Sequence, residues 1–158
     1  MGPSIRAGFL TQEAEGFHGD ATVLDLFRSR TEMHEDEART YLHKFLFSGD
    51  EVSKPARTLS YGQRAKLALA VMILSGANFL LLDEPTSHLD VPALEAIERA
   101  LAQYRGPLLV VSHDRYFLEN IGINRVEAMT DGHLRPIVSL ELYEEEIAEA
   151  VFPASGKM

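Results

Sequence analysis

The stretch LSYGQRAKLALAVMILSGANFLLLDEPTSHLD, Leu59 to Asp90, decides how this chain folds. Its second half contains Phe79-Leu80-Leu81-Leu82, a short and uniformly apolar run. A parallel strand covered on both faces reads this way, and Pro85 halts the run two residues after the first acid. Asp83 and Glu84 therefore stand at the carboxyl end of the strand, where open α/β sheets place their ligand crevice. Strand ends also carry acids merely because they reach solvent, so the pair alone decides nothing.

The first half of the stretch adds a helix with a defined start. Ser60 followed three residues later by Gln63 has the form of a capping box. Arg64 to Leu74 continues as strong helix formers until Gly76 supplies a stop. Gly62 in the first turn lets backbone N–H groups approach a phosphate, which the helix dipole favours. In phosphoryl transfer the first acid of such a pair commonly holds magnesium, and a neighbouring acid orients or deprotonates the attacking water.

Outward from this stretch the chain alternates strands and helices. Upstream, Ile5 to Leu10 predicts a strand ending at Thr11-Gln12, and Gly16 to Asp20 reads as a turn. Thr22 to Phe47 is helical in pattern. Val23, Leu26, Phe27 and Arg30 trace one face, while Ala38, Tyr41, Leu42, Phe45 and Leu46 trace a second. Ser48 to Arg57 is a polar connector. Downstream, Asp90 can cap a helix whose apolar positions are Leu94, Ile97, Leu101 and Tyr104. Gly106-Pro107 ends it, and Leu108 to Ser112 forms a second buried strand that delivers His113. Asp114 then caps Arg115 to Ile121. Asn124 to Met129 and His133 to Val138 form a hairpin around Thr130-Asp131-Gly132, and Leu140 to Val151 reads as an acidic helix with one packed face.

Taken in order, LSYGQ, a helix, LLLDEP, SHLD and VVSHD (Val110 to Asp114) resemble, motif for motif, the nucleotide-binding domain of ABC-type ATPases. FLFSGDEVSKP at Phe45 to Pro55, LSGANFLLLDEPTSHLD and VVSHDRYFLENI at Val110 to Ile121 are similar to the F subfamily, soluble twin-domain ATPases that often act on ribosomes. The resemblance implies a role for each matching residue. Glu84 would activate water, Asp83 and Gln12 would serve magnesium, Gln12 would reach the water as well, and His113 would steady the terminal phosphate. Neutral or charged, an imidazole can donate a hydrogen bond to that oxygen. Ser60, Gly62, Gln63 and Asp90 would bind nucleotide, with Ser60 and Gly62 completing the site on the opposing half of a paired domain and Asp90 linking the halves. Two positions depart from the pattern. Tyr61 stands where the family usually has glycine and is expected to point away from the nucleotide or to pack on it; Ser87 replaces the asparagine usual in the F subfamily.

Composition bounds the alternatives. A chain of 158 residues, 46% hydrophobic, suits one core. The absence of cysteine excludes a disulfide framework, fits a reducing cytosol and leads to a cytoplasmic expectation. No apolar run is long enough to insert into a membrane. The net charge is -9, and from Asp114 onward nine acids face four Lys or Arg. That balance argues against a direct nucleic-acid face, since such affinity rests on Lys and Arg. A phosphate-cradling loop requires GxxxxGK followed by Ser or Thr; only Gly156 of the eleven glycines precedes a lysine, and Met158 follows that lysine.

The expected fold class is therefore α/β, a partial P-loop NTPase-like ABC ATPase domain with a mostly parallel sheet and a helical subdomain. It lacks the first strand and phosphate loop. The expected organisation is one truncated domain over 1–158, with a Q-loop strand and loop at 1–21 and the helical subdomain at 22–58. The signature-to-histidine core spans 59–139 and the acidic helix and tail 140–158. The resemblance implies ATP and Mg2+ as cofactors and, as partners, a second ABC ATPase domain across a head-to-tail interface and a ribosome for the intact protein. The chain alone is expected to be inactive. Two other readings remain, an ATPase subunit of an ABC transporter and a non-catalytic interaction module derived from such a domain.

Overall fold

The computed structural model describes residues 4–11, 17 and 19–137. The chain divides into two compact units, 1–113 and 114–158. In the first, three parallel strands form a sheet in the order β1-β2-β3, comprising β1 (Ala7–Leu10), β2 (Phe79–Asp83) and β3 (Leu108–Val111). Parallel neighbours require crossovers, and the helices supply them. α1 (Val23–Thr31), α2 (Glu35–Lys44) and α3 (Tyr61–Leu74) lie between β1 and β2, and α4 (Val91–Gln103) lies between β2 and β3.

The helix limits follow from local chemistry. Thr22 Oγ1 accepts the Asp25 N–H at the start of α1, and Ser60 and Gln63 close the expected capping box at the start of α3. Gly76, with φ of +77°, takes the left-handed conformation just beyond the end of α3, where a side chain would be strained. α2 ends at Lys44, earlier than the periodicity predicts. Leu46 leaves the expected stripe because its φ is +62° and its side chain is partly exposed. The connector also carries more structure than its polarity predicts. Two 3-10 turns, Gly49–Ser53 and Ala56–Thr58, bury Val52 and Ala56.

The core lies where α3 meets β1, α1 and α4, and Phe27, Leu67, Leu69, Leu80 and Ile97 are fully buried there. The sheet differs from expectation in one respect. Leu80 and Leu82 are buried, but on the other face Phe9 and Leu109 flank Leu81 in one row and are 61% and 56% exposed. Neither β2 nor β3 is therefore covered on both faces. Alternate residues of a strand point to opposite faces, and only the face bearing Gly8, Leu80 and Leu82 is packed among the described residues.

The second unit contains α5 (Arg115–Asn120), started by Asp114 Oδ1 accepting the Phe117 N–H at 3.0 Å. It also contains an antiparallel hairpin, β4 (Val126–Thr130) with β5 (His133–Ile137), turned at Asp131-Gly132 as the sequence predicts. The expected acidic helix at Leu140 to Val151 lies outside the described residues.

Candidate functional site

The site begins where β2 ends. Asp83 pairs with Val111, and the Glu84 N–H donates to the Val111 carbonyl at 2.8 Å, carrying the β2-β3 pairing one residue past the strand. Glu84 is held there with φ of +47°. A residue with a side chain in that conformation costs on the order of 1–3 kcal/mol, and such outliers concentrate at functional sites. Two residues beyond Val111, His113 turns back to the same point. Its Nδ1 lies 3.0 Å from Glu84 Oε1. A carboxylate has no proton to give, so Nδ1 carries the hydrogen, and Nε2 donates only when the ring is protonated. This narrows the expectation that a neutral ring serves equally well.

The two ends of this pair differ in environment. The His113 side chain is 80% exposed and that of Glu84 only 17%. Glu84 Oε2 is sealed from solvent and has no hydrogen-bond partner among the described residues. A buried carboxylate oxygen left in that state costs energy until a donor reaches it. Oε2 is thus the acceptor of this carboxylate that the described residues leave unfilled. Among the described residues no three His, Cys, Asp or Glu side chains cluster to cage a metal. Asp83 alone is compatible with magnesium, which uses one or two carboxylates beside substrate phosphates.

The first turn of α3 forms a second group of candidates. The Ser60 side chain accepts the Gln63 N–H at 3.2 Å, while Gln63 Oε1 accepts the Ser60 N–H at 2.9 Å. Gln63 Nε2 donates to Glu51 Oε1 at 3.0 Å, so the Gln63 side chain is engaged within the chain at both ends. Gly62 is buried and faces the turn after β2. Asp90 Oδ1 accepts the Ala93 N–H at 2.9 Å and caps α4. Gln12 lies outside the described residues. Sequence pattern missed the Gln63–Glu51 link because the partner is twelve residues upstream in an irregular turn, where no periodicity points to it.

Lys66 lies one turn along α3 and is the one buried charged side chain among the described residues. Its Nζ sits 5.1 Å from the Phe47 ring centroid. Burial pushes the ammonium pKa down, and the carboxylates of Glu51 and Asp90 oppose that shift. The unfolded chain then binds the proton more tightly, so this group's contribution to stability rises with pH between the lowered value and 10.5. Lys66→Met keeps the volume and should change stability by less than about 1.5 kcal/mol at neutral pH. Lys66→Ala should cost about 2–4 kcal/mol. Urea midpoints for both variants check this, and any advantage of the Met variant should shrink as the pH is raised through that window.

The family model described as ABC transporter matches residues 3–87, more than half of the chain. Putative ATP-binding protein YdiF of Bacillus subtilis (strain 168) is 43% identical over 150 residues, covering 94% of this chain and 23% of that protein. Ribosome protection protein VmlR of the same organism is 36% identical over 132 residues, 84% of this chain and 24% of the relative. ABC transporter F family member 2 of Arabidopsis thaliana is 35% identical over 127 residues, 80% and 19%. The chain thus spans about a quarter or less of the length of these relatives. Among solved structures, the ATP-binding cassette MJ0796, dimeric in a post-hydrolysis state with ADP and Pi, matches with a TM-score of 0.67. It is 22% identical, with 84% of this chain and 62% of that chain covered. That likeness shows an α/β, P-loop NTPase-like fold.

Proposed function

This chain belongs to the ABC transporter family of ATP-binding domains, with relatives in the F subfamily, and from that premise we propose that its full-length polypeptide hydrolyses ATP between two paired domains. The observation that carries the proposal is the Glu84–His113 contact at the carboxyl edge of β2.

In this reading ATP meets the edge formed by Asp83, Glu84 and His113 on one domain and Ser60 and Gly62 on the other. Glu84 Oε2 takes the proton of the attacking water, and the His113 hydrogen bond to Oε1 fixes the carboxylate plane while that happens. Protonated, His113 also offers Nε2–H to the terminal phosphate, where charge develops. Asp83 and Gln12 would hold magnesium, which when bound would supply neutralisation of phosphate charge. Gln63 acts by holding Ser60 rather than by touching nucleotide. Asp90 joins the two domains through the turn it ends.

The residues 1–158 contain no GxxxxGK[ST] stretch, so the phosphate loop of the complete site would come from other parts of the polypeptide. The ribosome is the proposed partner and the cytoplasm the proposed compartment. What supports both is the similarity to VmlR, named a ribosome protection protein, and to F-family relatives. In addition, no helix among the described residues is long and apolar enough to cross a membrane. Sedimentation tests the proposal. The full-length polypeptide carrying Glu84→Gln should travel with ribosomes when ATP is present and leave them without it. Fractionation with a membrane protein would favour the transporter reading, and ATP-independent capture of a protein would favour a non-catalytic module. Residues 1–158 alone should bind ATP weakly and turn it over negligibly, as calorimetry and phosphate release would record.

A further inference from the structure

One half-buried side chain near this edge has no part in the chemistry above. Tyr61 is the first residue of α3. Its ring meets that of His88 edge-on, with centroids 6.0 Å apart and planes at 85°. The hydroxyl is sealed from solvent and has no hydrogen-bond partner among the described residues. Burial raises its pKa, the Arg64 cation lowers it and the Asp83 carboxylate raises it. Next to it, a Cβ on Gly62 would stand 3.2 Å from Leu89 Cδ2 and 3.5 Å from Ala93 Cβ. Residues 61 and 62 therefore both bear on the segment from His88 to Ala93.

That segment needs outside support. His88 has φ of +61°, a left-handed conformation that a residue with a Cβ adopts at an energetic cost. Turn hydrogen bonds from Ser87 N–H to the Glu84 carbonyl and from Leu89 N–H to the Thr86 carbonyl, at 3.2 and 3.3 Å, are long and weak. Edge-on aromatic contact is a directional attraction beyond mere burial. A glycine at position 61, usual in the resembling family, would leave His88 without it.

We propose that Tyr61 is a positioning residue: its ring, seated edge-on against His88, locks the turn after β2 to the first turn of α3, so that Ser60 and Asp90 are presented to a paired domain in one fixed relation. The inference rests on the paired-domain reading above. Pre-organising two contact groups removes the cost of ordering them at the moment of association. Tyr61 then favours pairing without touching nucleotide.

The test uses the full-length polypeptide with hydrolysis blocked by Glu84→Gln, and reads ATP-driven association of its domains together with ATP affinity. Tyr61→Gly should weaken association about three- to tenfold, the range expected for one edge-on aromatic pair, with ATP affinity falling only as far as the lost pairing requires. Tyr61→Phe should restore association, since it keeps the ring. His88→Ala, which leaves α3 intact, should weaken association similarly, and adding it to Tyr61→Gly should have little further effect. Full association in Tyr61→Gly, additive effects in the double variant, or a Phe variant as weak as the Gly variant would each overturn the role of Tyr61 alone. No ATP-driven association in any variant, including the parent with Glu84→Gln only, would overturn the paired-domain reading and this role with it.

Discussion

Glu84→Gln in the full-length polypeptide is expected to lower ATP turnover by about 10²–10⁴, the usual worth of a general base, while ATP still binds and the domains still pair. The expectation follows from the two oxygens of this carboxylate. Oε1 accepts from His113 Nδ1, a bond that an amide oxygen can also accept. Oε2 is buried and unpartnered among the described residues, so it is the oxygen left to receive a proton. Glutamine keeps the shape and loses only that capacity. Single-turnover rates beside ATP binding separate the two effects, and an unchanged rate would remove Glu84 from the chemistry.

His113→Ala should also be severe, lowering turnover about 10²–10³, as removal of a donor aimed at developing charge does. Its effect should depend strongly on Glu84. If the imidazole works by fixing the carboxylate and by donating to the phosphate, then His113→Ala on top of Glu84→Gln should cost much less than it does alone. Independent losses that multiply would mean that the 3.0 Å contact is a resting arrangement with no part in turnover. A stopped-flow comparison of the two single variants and the double variant decides between these outcomes.

Much of this edge was legible from residue order, for identifiable reasons. Capping chemistry is local, so Ser60 with Gln63 announced the start of α3 and Gly76 its end. The Phe79–Asp83 run and the Leu108–Val111 run each ended at a polar side chain. Parallel pairing with Asp83 opposite Val111 was then enough to bring Glu84 and His113 together. What escaped the sequence depends on tertiary context. Apolar runs do not report which face has a neighbour, so the exposure of Phe9, Leu109 and Val111 was not foreseen. Nor does hydropathy foresee a backbone held at positive φ, as at Leu46, Glu84 and His88, because neighbours impose that conformation.

The same distinction explains the group around α3. The place of Gln63 in the motif implies a nucleotide ligand, and what local pattern does not show is that its side chain joins Ser60 to Glu51. Lys66 looked like one of many helix-forming residues, yet it is buried beside Phe47, with the Glu51 and Asp90 carboxylates opposing the fall in its pKa. Both residues tie the irregular segment before α3 to α3 itself.

The measurement that bears most directly on the proposed hydrolysis is a structure of the full-length Glu84→Gln polypeptide with magnesium and ATP. The terminal phosphate should lie between residue 84 and His113 of one domain and Ser60 of the other, with Asp83 beside the metal. A nucleotide bound away from the carboxyl edge of β2, or domains that bind ATP without Ser60 facing it, would contradict the assignment.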